Sequence, residues 1–430
     1  MASSGPKRRA SPGAISPPPV KRKIESAVTK KSVSSFFTPT SQKKPEPITW
    51  RVVNSLVVGR YSTGADRGLS AEKSKVAAFD LDSTLVSTAS GNTFPRNSAD
   101  WKWWHDSVPS RLRELTTDGY HVIIISNQKK ISIQKEMKAG RSDSKSLTNF
   151  KERATAIMKH LDIPLSVYAA TEDDKYRKPR TGMWSEFIDE YDLDVAGVDF
   201  PNSIFVGDAA GRPNDHSMVD RGFAVNAGLP FKTPEEFFLN AAPEPLVESF
   251  DPSLYLQDST DVPCFSRESA LELVIFCGSP GAGKSTFYWD YLEPLGYERV
   301  NQDILKTRQK CIQVAKDHLT ARRSVVVDNT NADPETRNHW IKVSKDLNIP
   351  IRCVYFSASS SLCRHNNAVR AANKFMNPES RVSLPGIAFG DFARRFKEPS
   401  MSEGFSDIVR VDFRFRGDDH AKEVWQKYWI

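Results

Sequence analysis

The sequence predicts an α/β protein of two successive domains, each a doubly wound parallel sheet, behind a disordered basic N-terminal tail. Three observations carry this expectation. Short apolar runs alternate with helical stretches twice along the chain, as parallel strands joined by crossover helices do. Each half places a phosphate-type loop directly after an apolar run. Residues 1–48 are rich in Ser, Pro, Lys and Arg, with too little apolar surface to offset the entropy of ordering.

The tail holds the chain's charge imbalance. Residues 1–44 contain ten Lys/Arg and one acid, Glu25, so this segment carries +9 and leaves −2 of the net +7 for the rest. The folded part is therefore not a globally basic surface, and any polyanion must be held in local grooves. Lys7-Arg8-Arg9 and Lys21-Arg22-Lys23 resemble a two-part nuclear import signal and imply a nuclear location; a generic basic tail is the alternative. Val33, Phe36 and Phe37 form an apolar island that resembles a sliding-clamp-binding motif, although Lys30 stands where that motif has Gln.

Residues 49–240 form the first expected domain. Its apolar runs are 76–79, 121–125, 166–170 and 203–206, with a helix predicted over 147–161. Residues 241–268, with several prolines and acids, read as a connector. In the second domain, 269–430, strands are expected at 273–277, 324–327 and 351–356. Helices are expected at 284–293, 305–321 and 333–347. No run of 18 apolar residues is present, so no membrane span is expected. The five cysteines include no C-x-x-C pair, which argues against a structural zinc or a disulfide framework.

The second domain carries the more specific signature. Leu273-Val274-Ile275-Phe276 leads into Gly278-Ser279-Pro280-Gly281-Ala282-Gly283-Lys284-Ser285, a G-x-x-x-x-G-K-[ST] loop followed by Thr286. Glycines let backbone N–H groups turn toward phosphate oxygens, Lys284 supplies a charge near the β- and γ-phosphates, and Ser285 offers a hydroxyl to Mg2+. This predicts ATP binding. Asp303, one strand-length beyond the first helix, is the candidate base for an acceptor hydroxyl; a helix N-cap is its alternative. Asp328 ends the strand 324–327 and is a candidate support for the metal or substrate. Arg364 and Arg370 are candidates to close over the triphosphate, or else form a solvated basic face.

In the first domain, Asp80-Leu81-Asp82-Ser83-Thr84 follows the run 76–79. Asp80 at a strand end can attack phosphorus as a carboxylate, and Asp82 can act as acid and then base. Three further parts follow in order, each after an apolar strand. Ser126 is a hydroxyl donor to phosphate, Lys178 a neutralising cation, and Asp208 a carboxylate for Mg2+, with Asp215 a further candidate acid. Taken singly, these are also ordinary strand-end acids and a surface lysine.

The ordered set resembles the haloacid-dehalogenase (HAD) phosphatase superfamily, in which Mg2+ is held by the nucleophile and the late acid. That resemblance places Asp80, Asp82 and Asp208 at the metal. The order of modules, phosphatase then P-loop kinase, resembles the eukaryotic polynucleotide kinase 3′-phosphatases, in a fungal-type form without the forkhead-associated domain. Phrases that agree include Phe79-Asp80-Leu81-Asp82-Ser83-Thr84-Leu85, Tyr176-Arg177-Lys178-Pro179, Phe205-Val206-Gly207-Asp208-Ala209-Ala210-Gly211-Arg212-Pro213, Asp328-Asn329-Thr330-Asn331 and Glu403-Gly404-Phe405. The likeness runs over about residues 50–425. It implies removal of 3′-phosphate and phosphorylation of 5′-hydroxyl at DNA breaks, and positions Phe94 and Arg177 near a DNA-binding cleft. Three departures stand out. Ser83 replaces a common Gly, Lys129-Lys130-Ile131-Ser132 replaces a Gly-rich turn, and Ala368 stands where relatives carry another lid arginine. An RNA end-healing enzyme, a catalytically dead end-binding scaffold and a metabolite kinase/phosphatase fusion are the alternatives.

Overall fold

The computed structural model describes residues 47–64, 73–133, 143–247, 250–256 and 265–430. The basic clusters of the tail and Val33, Phe36 and Phe37 lie outside the described residues.

The first half is built on a seven-stranded sheet in the order β1-β2-β7-β6-β3-β8-β9. Its strands are β1 (Ile48–Val53), β2 (Leu56–Tyr61), β3 (Val76–Phe79), β6 (His121–Asn127), β7 (Leu165–Ala170), β8 (Ile204–Val206) and β9 (Phe231–Lys232); β4 (Val86–Ser87) and β5 (Lys102–Trp103) form a separate two-stranded ribbon. Strands β7, β6, β3, β8 and β9 are parallel. The expectation of a parallel sheet needs one correction. β1 and β2 are an antiparallel hairpin, added antiparallel to the edge strand β7. A two-residue turn with Asn54 at φ 56 makes that hairpin possible. β3 is buried at every position, as a central parallel strand covered on both faces must be.

Helices cover both faces. Lys145–Leu161 begins at Ser144, whose side chain accepts the Leu147 N–H, and ends at Asp162 in the left-handed region at φ 50. Its buried Leu147, Phe150, Ala154, Ile157, Met158 and Leu161 recur at three- and four-residue steps and enter one core with Phe79, Leu85 and Leu112. Full burial of each such large apolar side chain contributes about 1.5–3 kcal/mol. The opposite face of the sheet packs Tyr168, Phe187, Phe205 and Phe223.

The second half is a five-stranded, all-parallel sheet in the order β11-β12-β10-β13-β14. These strands are β10 (Leu273–Cys277), β11 (Glu298–Val300), β12 (Val325–Val327), β13 (Ile351–Phe356) and β14 (Asp407–Val411). Two expected helices are divided. The helix after the glycine loop is α only over Lys284–Phe287 and continues as a π turn, Tyr288–Leu292. The stretch 305–321 is two helices, Gln302–Leu305 and Arg308–Thr320, because Lys306 takes φ 71 and Thr307 starts a new cap.

The connector is not a free spacer. Val247 N–H donates to Gly211 O on the first half, whereas Phe250 packs on His365 with ring centroids 4.8 Å apart. Phe265 is buried in the second core.

Candidate active sites

In the first half, the parallel strands deliver the candidate residues to one edge. Asp80 follows β3, Ser126 lies at the end of β6, Lys178 comes from the loop after β7, and Asp208 follows β8. This is the C-terminal edge of an open α/β sheet, where ligands of such folds bind.

Lys178 is buried and lies 2.5 Å from Asp80 Oδ1 and 2.7 Å from Asp220 Oδ1. Burial disfavours its ammonium, but Asp220 and Asp80 outweigh this and hold its pKa above the ordinary lysine value. Burial pushes the Asp80 carboxyl well up, opposed by Lys178 and reinforced by Asp220 and Asp208. Burial and then Asp220 push Asp208 up to about 6. Thr84 hydroxyl donates to Asp208 Oδ1 at 3.3 Å. Oxygens of Asp80, Asp208 and Asp220 lie within 4.8 Å of one another. Three hard carboxylates facing one ammonium fit a divalent cation such as Mg2+.

The Asp82 side chain, expected near the metal, lies outside the Asp80–Asp208–Asp220 cluster and has other partners. Its Oδ1 is 2.7 Å from buried Arg153, and Gln128 Nε2 donates to its Oδ2 at 2.6 Å. Gln128 also reaches Ser126 Oγ at 3.0 Å, so one amide spans the two expected catalytic groups. Asp215 is likewise turned away: it accepts the Ala210 and Arg212 N–H groups and pairs with the Arg212 side chain. Asp220, which the sequence did not single out, takes the third place. It stands in the first turn of the helix Val219–Ala227 and accepts the Ala209 N–H through Oδ2. A Cβ on Gly207 would come within 2.3 Å of that oxygen, so glycine at 207 is what lets Asp220 approach.

Phe94 is 55% exposed, with Lys130 Nζ 3.1 Å from its ring centroid. Arg177 is half-buried, its Nη1 enclosed without a hydrogen-bond partner. Burial lowers its pKa, with Asp173 opposing and Arg180 reinforcing.

In the second half, Gly278 to Ser285 form a tight loop between β10 and its helix. Gly281 (φ +80) and Gly283 (φ +91) adopt conformations that favour glycine, and a Cβ on Gly281 would meet Cys363 O at 2.3 Å. Lys284 Nζ donates to Gly278 O at 2.9 Å and to Ser279 O at 2.7 Å. Burial pulls its pKa down and Asp328 opposes this. The loop, from Pro280 through Thr286, opens onto a cavity of about 1160 Å3 that Asp303, Asp328, Arg370 and Arg381 also line.

Ser285 Oγ donates to Asp328 Oδ2 at 2.9 Å, which gives the hydroxyl–carboxylate pair that a magnesium ion on a triphosphate requires. Asn329 Oδ1 accepts the Gln302 N–H, and Thr330 O accepts the Gly278 N–H. The Asp328–Asn331 phrase thus bolts the glycine loop to the turn that carries Asp303. Asp303 is not a cap: Asn301 and Thr307 cap the two helices, and its side chain is 79% exposed beside Arg381 at 3.6 Å. Arg370 lines the cavity as expected of a triphosphate-closing arginine. Arg364 is exposed and not among the lining residues, so it does not join that cluster. Sequence reasoning missed Arg299, which pairs with Asp328 at 2.5 Å and Glu379 at 2.7 Å. It also missed Arg381, which donates to Ser285 Oγ at 3.1 Å.

The family described as polynucleotide kinase 3 phosphatase matches residues 75–238, and the AAA domain model matches residues 273–399. The bifunctional polynucleotide phosphatase/kinase of Schizosaccharomyces pombe is 40% identical over 391 residues, 90% of this chain and 89% of that protein. The polynucleotide 3′-phosphatase ZDP of Arabidopsis thaliana is 35% identical over 42% of this chain and 26% of its own length. The polynucleotide 3′-phosphatase of Saccharomyces cerevisiae is 29% identical over 38% of this chain and 87% of its own. With a carboxylate–lysine site in one half, a glycine loop and cavity in the other, and a relative that matches both, this chain belongs to the bifunctional polynucleotide phosphatase/kinase family.

Proposed function

We propose that the chain heals DNA strand breaks in the nucleus, removing 3′-phosphate at the first site and phosphorylating the 5′-hydroxyl from ATP at the second. The observation that carries this reading is the presence of two separate phosphate-handling sites on one chain.

At the first site, an Asp80 oxygen attacks phosphorus and the bond to the 3′ oxygen breaks. Asp82 gives its proton to that oxygen, leaving a 3′-hydroxyl and an acyl phosphate on Asp80. Water then attacks phosphorus, Asp82 takes its proton, and inorganic phosphate leaves. Lys178 and Ser126 hold the phosphoryl oxygens throughout. At the second site, Asp303 takes the proton of the 5′-hydroxyl as the hydroxyl oxygen bonds to the γ-phosphorus. The bond from that phosphorus to the β–γ bridging oxygen breaks and ADP leaves, while Lys284, the loop N–H groups and Arg370 hold the phosphates. Asp80, Asp208 and Asp220 at the first site, and Ser285 with Asp328 at the second, would hold magnesium, which when bound would supply charge neutralisation at the phosphoryl group. Phe94 is an exposed ring for a base and Arg177 a cation for a backbone phosphate.

The tail supports nuclear retention through its two basic clusters. A sliding clamp is a proposed partner through Val33, Phe36 and Phe37. Matched 3′-phosphate DNA and RNA ends test the substrate class. Faster release from DNA supports strand-break repair, and faster release from RNA replaces it with an RNA-healing role.

A further inference from the structure

The last residues of the kinase half reach the phosphatase half. Asn226, on the helix Val219–Ala227, donates through Nδ2 to Pro179 O and to Tyr428 O, both at 2.8 Å. Its Oδ1 accepts the Tyr428 N–H at 2.9 Å. Every polar position of this amide except one lone pair is thus used, and all of it joins the C-terminus to the residue after Lys178.

The packing around this amide is close. A Cβ on Gly222, one turn earlier, would come within 3.1 Å of Tyr428 Cβ and 3.2 Å of Pro179 Cβ. The helix is therefore held between the C-terminal segment and the Lys178–Pro179 segment. On the other side, Asn127 Oδ1 accepts the Lys178 N–H at 2.9 Å, and its Nδ2 donates to Lys178 O at 3.2 Å. Lys178 thus sits between two asparagine clamps, and one is completed by the kinase half. The C-terminal segment is itself anchored: Trp425 is buried, its Nε1 donates to Asn366 Oδ1 at 2.8 Å, and its carbonyl accepts from His365 Nε2 at 2.9 Å.

We infer that Asn226 is a positioning residue for 3′-phosphate removal, which sets the Lys178–Pro179 segment only when the C-terminal Tyr428 backbone completes its hydrogen bonds. The inference rests on the phosphatase role of Lys178 proposed above. A lysine that must meet both Asp80 and a phosphoryl oxygen tolerates little displacement, because misplacing a catalytic charge by about 1 Å costs up to a hundredfold in rate. The kinase half is in this sense part of the phosphatase site.

The test uses the full chain, Asn226→Ala, a chain truncated after Lys427, and the two changes combined. Steady-state phosphate release from a 3′-phosphate oligonucleotide is measured beside 5′-hydroxyl labelling by ATP. The expected result is a fall of about tenfold in phosphatase kcat with KM unchanged for each single variant. Kinase kcat is expected unchanged in Asn226→Ala, and the combined variant is expected to lose no more than either single one. Wild-type phosphatase kcat in Asn226→Ala, additive losses in the combined variant, or equal loss of both activities in Asn226→Ala would each overturn the inference alone. No phosphate release by the unaltered chain would overturn the reading it rests on as well.

Discussion

Lys178 lies between Asp80 and Asp220, 2.5 Å from an oxygen of one and 2.7 Å from an oxygen of the other. One buried ammonium thus serves the expected nucleophile and is itself held by a residue outside the expected set. Replacing Asp220 by Asn keeps the shape but removes the charge opposite Lys178. Asp220→Asn should lower phosphatase kcat about 10- to 100-fold and leave the kinase unaltered. Paired assays of phosphate release and 5′ labelling check this, and a wild-type phosphatase kcat would remove Asp220 from the mechanism.

The two activities should separate by single substitutions. Asp80→Asn removes the attacking carboxylate and should cost at least about a thousandfold in phosphate release while sparing the kinase. Lys284→Ala should do the reverse. Comparable loss of both activities in either variant would contradict two independent sites.

Ser83 adopts φ 64, the left-handed region, while its N–H donates to Val86 O at 2.8 Å. A side chain there is strained, so Ser83→Gly should raise stability by at most about 1 kcal/mol, read as a higher Tm. A fall in Tm would show that the Ser83 side chain contributes more than its conformation costs.

Acid should weaken the kinase half. Burial pulls His365 down to about 4 from 6.5. Its stabilising contribution is complete above pH 6.5 and is lost as pH falls toward 4, about 3 kcal/mol over the window. Asp208 has the opposite sign. Raised from 3.8 to about 6, it destabilises the fold above pH 6 and is relieved as pH falls toward 3.8. Hydrogen exchange from pH 7 to 4.5 should therefore show protection falling around His365 and rising around Asp208. Parallel changes in both halves would contradict the opposed shifts.

The parts legible in the sequence were those set by local chain chemistry. The apolar runs stop at 79, 125 and 206, directly before Asp80 and Ser126 and one glycine before Asp208, so these three could be placed on one sheet edge. The glycine loop needs its residue types for backbone reasons alone, and Gly281 and Gly283 take the φ values that explain them. What stayed hidden is long-range. Asp220 is one acid in an ordinary helical turn, and only the missing Cβ of Gly207, thirteen residues away, lets it reach Ala209 and Lys178. Arg153 meets Asp82 across 71 residues, and Arg299 meets Asp328 across 29. The edge hairpin β1-β2 escaped because nothing in alternating α/β punctuation marks a strand as antiparallel.

The central claim is that one chain holds two separate phosphate chemistries. The most direct test is a nicked duplex bearing 3′-phosphate and 5′-hydroxyl, end-labelled and incubated with Mg2+ in the presence and absence of ATP. The account predicts loss of 3′-phosphate in both samples and gain of 5′-phosphate only with ATP. Phosphate loss that requires ATP, or no 5′-phosphate formed when ATP is present, would contradict it.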